Sequence, residues 1–415
     1  MSVSLDDVRA WDAADPLRGY RERFVLPQGV IYLDGNSLGA LPAATTARLA
    51  EATTTQWGEG LIRSWNGHDW IGAPARIGAK IARLIGAAPH EVVVADSTSV
   101  NLFKLIVAAV RAQAGARAGR STILAEPGNF PTDLYVAQGA AGVLAGARLR
   151  MLPIDQLTVA IDADTALVML THVHYKSGAM HDMAAITRRA HAAGALVLWD
   201  LSHSAGAVQV DLNAVGADLA VGCGYKYLNG GPGAPAFLFV AERHQATLRS
   251  PLTGWMGHAA PFDFVDDYQP ADGIDRFLCG TPSVLAMAAL EAGVDQFDGA
   301  DMAVVSAKAQ RLCSLFIERV EDRCAGFGLT LATPREPAAR GSHVAFRHPD
   351  AYPIMQALIE RGVIGDFRAP DILRCGFTPL YLGFEDVWRA VEILREVLAT
   401  GAWRAERFRV RSRVT

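Results

Sequence analysis

Between about Glu91 and Val240, short apolar runs alternate with longer stretches of helical character, and that alternation leaves few folds open. The runs are Val92 to Ala95, Thr122 to Ala125, Ala166 to Leu170, Leu196 to Trp199, Leu219 to Val221 and Ala236 to Val240. Each is rich in Val, Leu or Ile, as expected of strands buried on both faces. Strands of this kind joined by crossover helices build a mostly parallel sheet in an α/β fold. Several runs end at a polar residue, Asp96, Glu126, Thr171 or Asp200, and ligands bind outside such strand ends.

The length of 415 residues exceeds what one core usually serves, so a large domain with a mostly parallel central sheet and a smaller α+β domain are expected. An N-terminal segment, 1–45, is expected to pack with the small domain. The large domain is placed at 46–290 and the small C-terminal one at 291–415. Amphipathic helices are expected over Ser283 to Phe297, Met302 to Cys324 and Glu385 to Leu398, and Pro334, Pro337 and Gly341 mark a loop. The Ala-rich stretch Ala108 to Ala118 reflects helix propensity, and the basic run Arg404 to Arg413 reads as a solvated end.

A formal charge of -4 argues against a nucleic-acid surface, and no apolar run reaches membrane-spanning length. The first residues, with Asp6, Asp7 and Arg9, lack the pattern of a secretory signal, so a cytoplasmic location without membrane attachment is expected. Five cysteines, Cys223, Cys279, Cys313, Cys324 and Cys375, form no CxxC pair and are expected to be buried, inert thiols.

The segment that carries chemistry is Trp199-Asp200-Leu201-Ser202-His203-Ser204-Ala205-Gly206, followed by Gly224-Tyr225-Lys226-Tyr227-Leu228-Asn229-Gly230-Gly231-Pro232-Gly233. An Asp leaving one buried strand and a Lys in the glycine-rich turn after the next place carboxylate and amine on one rim of the sheet. This pairing suits pyridoxal 5′-phosphate: the lysine condenses with the aldehyde and the aspartate keeps the pyridine nitrogen protonated. Singly, Asp200 would read as a helix N-cap and Lys226 as a solvated side chain. The same rim carries Ser97, Thr98 and Ser99 before a helical run, where hydroxyls and backbone N–H groups suit a phosphate, although such clusters are also common caps. Gly128-Asn129-Phe130-Pro131-Thr132-Asp133 adds an aromatic face and a carboxylate, with a core phenylalanine before a Pro-initiated helix as the plain reading. Thr171-His172-Val173-His174 has no third ligand at a diagnostic spacing, so no metal is expected and His172 and His174 read as structural.

Taken together these segments resemble kynureninase, a family of the fold type I pyridoxal-phosphate superfamily. The likeness also includes Tyr32-Leu33-Asp34-Gly35-Asn36-Ser37-Leu38-Gly39, Ile62-Arg63-Ser64-Trp65, Gly254-Trp255, and Arg374 with Thr378-Pro379-Leu380-Tyr381. The resemblance implies that Lys226 carries the cofactor, Asp200 binds the pyridine nitrogen, and Phe130 stacks on the ring. It places Pro131, Thr132, Asp133, Thr171 and His203 around the cofactor, and Thr98, Ser99 and Tyr225 on its phosphate. Trp255 and Thr281 would reach that phosphate from the other subunit of a homodimer with shared sites. Arg374 would bind the substrate α-carboxylate, with Asn36 and Trp65 also on the substrate side, and Tyr225 would relay a proton.

The implied reaction is hydrolysis of the Cβ–Cγ bond of L-kynurenine to anthranilate and L-alanine. Family members that favour 3-hydroxykynurenine resemble one another in a histidine and a Ser-Asn pair where this chain has Trp65 and Gly280-Thr281, so the hydroxylated compound is expected to be the poorer substrate. A cysteine desulfurase or aminotransferase of the same superfamily needs the same Asp and Lys. Desulfurases, however, typically place histidines where this chain has Tyr225 and Phe130. A noncatalytic α/β binding module is the rival from another class, and an absorbance spectrum separates it.

Overall fold

The computed structural model describes residues 3–411. Its centre is a seven-stranded sheet of β1 (Val92–Val94), β2 (Thr122–Ala125), β3 (Arg148–Met151), β4 (Thr165–Thr171), β5 (Leu196–Asp200), β6 (Leu219–Gly222) and β7 (Phe237–Val240). The spatial order is β1-β7-β6-β5-β4-β2-β3. Only β7 runs against its neighbours; the pairs from β6 through β3 are parallel. Every residue of β1, β2, β4, β5, β6 and β7 is buried, which is why these strands read as unbroken apolar runs. The edge strand β3, Arg-Leu-Arg-Met, is largely exposed, and its charged side chains hide it from a search for apolar runs while guarding the open edge.

Helices cover both faces. Ser97 caps Thr98–Ala116 by accepting from the Val100 N–H at 3.4 Å, and the Leu102, Leu105, Ile106 and Ala109 face lies buried against the sheet. Pro131 opens Pro131–Val143 at the position where a missing N–H costs nothing. The helices read from periodicity lie at Val284–Val294, Met302–Arg323 and Phe384–Thr400, the first continuing as a 3₁₀ turn, Asp295–Phe297. Among the described residues no helix is long and apolar enough to cross a membrane.

A second sheet, β8 (Thr330–Leu331), β9 (His343–Arg347), β10 (Asp366–Arg368) and β11 (Ile372–Gly376), has the order β8-β9-β11-β10 and is antiparallel throughout. We propose that the chain divides just after the helix Val284–Val294, a few residues beyond the expected 290, because that helix packs on helices of the large sheet's side whereas Met302–Arg323 packs on Phe384–Thr400 and β9. The N-terminal residues join the second unit: Ile31–Tyr32 pairs with Val363–Ile364, and the Asp12 carboxylate accepts from the N–H groups of Phe384 and Glu385 at 2.7 and 2.9 Å. They also touch the large sheet's rim. The Gly39 N–H donates to the Tyr225 carbonyl at 2.8 Å, and a Cβ at position 39 would lie 2.4 Å from the Lys226 carbonyl oxygen, so only glycine fits.

Two expectations change. The arginines of the basic run from Arg404 are exposed as expected, but the run is anchored: Phe408 within it and Trp403 just before it are buried against Ala351–Glu360, and Arg407 pairs with Glu360 at 2.8 Å. Arg413 lies outside the described residues. Of the five free cysteines, Cys223, Cys313, Cys324 and Cys375 are buried, but Cys279 is only half-buried, beside a second cavity.

Asp218, just before β6, is buried and collects donors from four directions: His191, His244, Arg243 and the Val197 N–H, all at 2.7 to 2.8 Å. Burial pushes its carboxyl up, but the hydrogen bonds from His191 and His244 outweigh that and hold it below the ordinary range. A depressed folded-state value contributes stability above the unfolded value of about 3.9 that is lost as pH falls through and below it. Asp218→Ala should therefore cost about 3 kcal/mol at neutral pH and flatten the acid limb of the stability curve. Urea unfolding of both proteins from pH 3 to 7 checks this, and parallel curves would exclude the role.

Candidate active site

The parallel register ends β4 and β5 together, with Thr171 opposite Asp200. Lys226 follows β6 after a turn and returns to the same rim. There Thr98, Ser99, Phe130, Thr132, Asp133, Thr171, Asp200, His203, Tyr225 and Lys226 line one cavity of about 130 Å³, joined by Ser97, Tyr175 and Ser202. Pro131 starts the adjoining helix without lining the cavity.

Lys226 is 8% exposed, and its Nζ lies 3.1 Å from His203 Nε2 and 5.7 Å from the centre of the Phe130 ring. Burial, then the charge of Lys226, pushes His203 well below the ordinary imidazole range, so it is neutral and its Nε2 accepts from the lysine. The proton consequently sits on Nδ1, a buried atom without a hydrogen-bond partner. Phe130 meets Tyr175 edge-on at 5.3 Å. The Asp200 Oδ1 accepts from the Ser202 N–H at 2.7 Å. Beside it Asp133 is buried and raised well above the carboxylate range, first by desolvation and then by the Asp200 charge and a hydrogen bond to it. Two carboxyl groups so close cannot both ionise; Asp133 holds the proton. Asn129 Nδ2 donates to Asp133 at 3.2 Å.

On the same cavity Thr98 and Ser99 occupy the first two positions of their helix, where backbone N–H groups have no helical acceptor and the dipole favours an anion. Their placement depends on Asp96, whose φ of 45° is unusual for a non-glycine residue. The Asp96 carboxylate pairs with Lys104, a wholly buried lysine that also donates to the Phe277 carbonyl at 2.6 Å. His172 and His174 serve as structural donors and acceptors: His172 Nδ1 meets Ser204 Oγ at 2.9 Å and His174 Nε2 meets the Gly128 carbonyl at 2.8 Å. Among the described residues no group of three or more His, Cys, Asp or Glu is arranged to hold a metal.

Arg374 and Asn36 lie beside this cavity and not on its wall. Arg374, 1% exposed, gives Nε to Asp366 Oδ1 at 2.8 Å and Nη2 to Ser37 Oγ at 3.0 Å, pairs again with Asp366 through Nη2, and donates from Nη1 to the carbonyl of Tyr175. The Asn36 amide oxygen, turned toward Arg374, accepts from Nε and Nη2 at 3.0 Å. Trp65, Trp255 and Thr281 do not line the cavity within one chain. The rings of Trp65 and Trp255 meet at 6.4 Å, and Thr281 lines a separate cavity of about 250 Å³ with Asp96 and Cys279.

The chain as a whole is similar to known proteins. The chain is 53% identical over 412 residues to the kynureninase of Pseudomonas fluorescens, covering 99% of both chains. The chain belongs to the kynureninase family. It is likewise 53% identical over 413 residues to the kynureninase of Burkholderia mallei strain SAVP1, again across 99% of both, and residues 305–394 match the kynureninase C-terminal domain. The fold is also that of a cysteine desulfurase from Thermococcus onnurineus NA1, with a TM-score of 0.77 over 92% of this chain and 98% of that one at 20% identity. A mutant of C-DES with glycine covalently linked to its PLP cofactor superposes with a TM-score of 0.78 at 16% identity, over 91% and 99% of the two chains. These distant likenesses establish the fold type I architecture, whereas the relation to the kynureninase family extends along the whole chain.

Sequence reasoning missed Tyr175, Asp366, Lys104 and His343 at this site. A lysine inside the apolar run Leu102-Phe103-Lys104-Leu105-Ile106 was a usable signal, since a buried lysine demands a partner. Tyr175 and His343 had no local signature. The proton on Asp133 sets an expectation. Asp133→Asn keeps a neutral donor beside Asp200 and should unfold within a few degrees of the wild type, whereas Asp133→Ala leaves buried groups unpaired and should cost about 1–3 kcal/mol. Thermal unfolding distinguishes them, and equal losses would mean that Asp133 is ionised.

Proposed function

We propose that this chain hydrolyses the Cβ–Cγ bond of L-kynurenine, consuming one water and releasing anthranilate and L-alanine, with pyridoxal 5′-phosphate carried on Lys226. The observation that carries the reading is the convergence of Lys226, Asp200, Phe130, Tyr225 and the Thr98-Ser99 helix start on one cavity, in a chain of the kynureninase family. When bound, pyridoxal phosphate supplies an aldehyde that takes up an amine and a ring that accepts a carbanion's electron pair.

The protein's part follows from its residues. The open N–H groups and hydroxyls of Thr98 and Ser99, with the Tyr225 phenol, would hold the phosphate. Asp200 would keep a proton on the ring nitrogen, and the protonated Asp133 would support Asp200 without adding a second charge. Phe130 would cover the ring face. The Lys226 Nζ, when not engaged by the cofactor aldehyde, would serve as the base for the substrate Cα proton. The neutral His203 at 3.1 Å supplies a hydrogen-bond acceptor without a competing positive charge. Burial pushes the Tyr225 phenol above its ordinary range, so it stays protonated and can deliver a proton to Cβ after the bond breaks.

The same reading gives a cytoplasmic homodimer. Phe262 and Phe264 are exposed beside Trp255, and Leu61 and Ile62 are exposed a few residues before Trp65. A second copy covering this apolar surface would bring Trp255 and Thr281 toward its partner's phosphate site.

The purified protein incubated with L-kynurenine should form anthranilate and alanine in equal amounts. Lys226→Ala should abolish turnover and the yellow absorbance of the bound cofactor while leaving the far-ultraviolet circular dichroism intact. An active Lys226→Ala protein would remove the lysine from the chemistry. Kynurenine should exceed 3-hydroxykynurenine in kcat/KM by about tenfold, since a ring hydroxyl without a partner beside Trp65 and Thr281 must still be desolvated, at roughly 1–3 kcal/mol. Equal or reversed values would remove Trp65 and Thr281 from the aryl pocket.

A further inference from the structure

The charges beside the active-site cavity do not balance. Asp366 faces two guanidinium groups, Arg374 on β11 and Arg368 at the end of its own strand, β10. Arg368 Nη2 donates to Asp366 Oδ2 at 2.7 Å and to Ser37 Oγ at 3.2 Å, and Arg374 Nη2 reaches the same hydroxyl at 3.0 Å, so the two guanidinium groups lie side by side. Burial pushes Asp366 up, yet Arg374 and Arg368 hold its carboxyl at about 2, so it supplies one negative charge. The neighbouring Asp34 does not supply a second: burial, then the charge of Asp366, pushes it to about 8 and leaves it largely protonated at neutral pH. His203 and His343 nearby are both driven neutral by burial. Two guanidinium charges stand against one carboxylate.

The surplus charge has a location. Arg374 is 1% exposed; its Nε and Nη2 are committed to Asp366, Ser37 and Asn36, and one of the two Nη1 hydrogens goes to the Tyr175 carbonyl. It has one N–H left, too few for a two-pronged grip on a carboxylate. Arg368 differs: its side chain is 33% exposed, and only one of its nitrogens is engaged among the hydrogen bonds described. Two residues of the cavity wall lie within its electrostatic reach: Tyr175 acts on the Arg368 guanidinium, and the charge of Arg368 is felt by His203.

We propose that Arg368 is a direct ligand of the substrate α-carboxylate, completing with its open guanidinium edge the grip for which Arg374 has a single N–H free. Asp366 is then the positioning residue that turns both arginines toward one point, and the carboxylate of an α-amino acid supplies the missing negative charge. This rests on the reading of kynurenine as substrate.

The test separates carboxylate recognition from general damage. L-Kynurenine and kynuramine, the same molecule without the carboxylate, are compared on the cofactor-loaded wild type, Arg368→Met and Arg368→Lys. The quantities read are KM and kcat for kynurenine and the calorimetric Kd for kynuramine. Arg368→Met should raise KM for kynurenine by about tenfold or more while kynuramine binding stays within about twofold, and Arg368→Lys, which keeps the charge but not the fork, should fall between. An unchanged KM, or equal losses for the two compounds in both variants, would overturn the assignment. If the wild type does not turn kynurenine over at all, the substrate reading fails and the assignment with it; normal turnover with unaltered discrimination removes Arg368 alone.

Discussion

Charge held out of water is the constraint on which this structure depends. Asp133, Asp200, His203, Lys226, Asp366 and Arg374 are each less than a tenth exposed, and an ionised group in that setting persists only with a partner. The ways in which they are satisfied differ. Asp366 and Arg374 remain ionised because their geometry is two-pronged and neighbouring donors complete it. Asp133 and His203 become neutral instead, one keeping a proton and the other losing one. The site is therefore a set of groups whose protonation is fixed by their surroundings, which is what a proton-transferring cavity requires.

The scaffold makes this possible by register. Because β4 and β5 end level, Thr171 and Asp200 emerge at one height, and the chain after β6 has only a short distance to bring Lys226 back to them. The approach of Gly39 to the Lys226 carbonyl then ties the N-terminal segment to the lysine turn, while that segment also pairs with Val363–Ile364 of the second unit. The residues that carry the lysine and those that surround the arginines are thus parts of one connected frame.

What could be read from the sequence follows from how local each signal is. The buried strands announce themselves as apolar runs, and Asp200 and Lys226 stand within a few residues of strand ends, so their convergence follows from topology alone. The edge strand β3 was silent because exposure removes the apolar pattern, and the docked turn at Trp403 was masked by the arginines around it. Tyr175 and His343 could not be read because their roles come from contacts across long separations, the Tyr175 carbonyl with Arg374 on β11 and His343 on β9 with His203, whereas Asp366 meets Arg374 only through the pairing of β10 with β11. Arg374 was legible as a cation near the substrate, but the loss of most of its donors to Asp366, Ser37, Asn36 and Tyr175 is a property of packing.

The division of labour between the two sheets bears on how one architecture serves different reactions. Cysteine desulfurases share this fold at 20% identity or less, and an Asp at one strand end with a Lys after the next is what electron withdrawal through a pyridine ring requires in general. On the proposed assignment of Asp200 and Lys226, the rim of the large sheet would serve the cofactor chemistry. On the proposed reading, the α-carboxylate would be held by groups that the large sheet does not own: Asn36 and Ser37 from the N-terminal segment, Arg368 and Arg374 from the second sheet, and Tyr175 where the two meet. These groups are linked through Asp366 and Ser37, so altering one shifts the charge seen by the others. A change from one α-amino acid to another could accordingly leave the arginine cluster, Asp200 and Lys226 as they are and act on the residues facing the side chain, whereas a substrate without the carboxylate would require the cluster to be rebuilt as a unit.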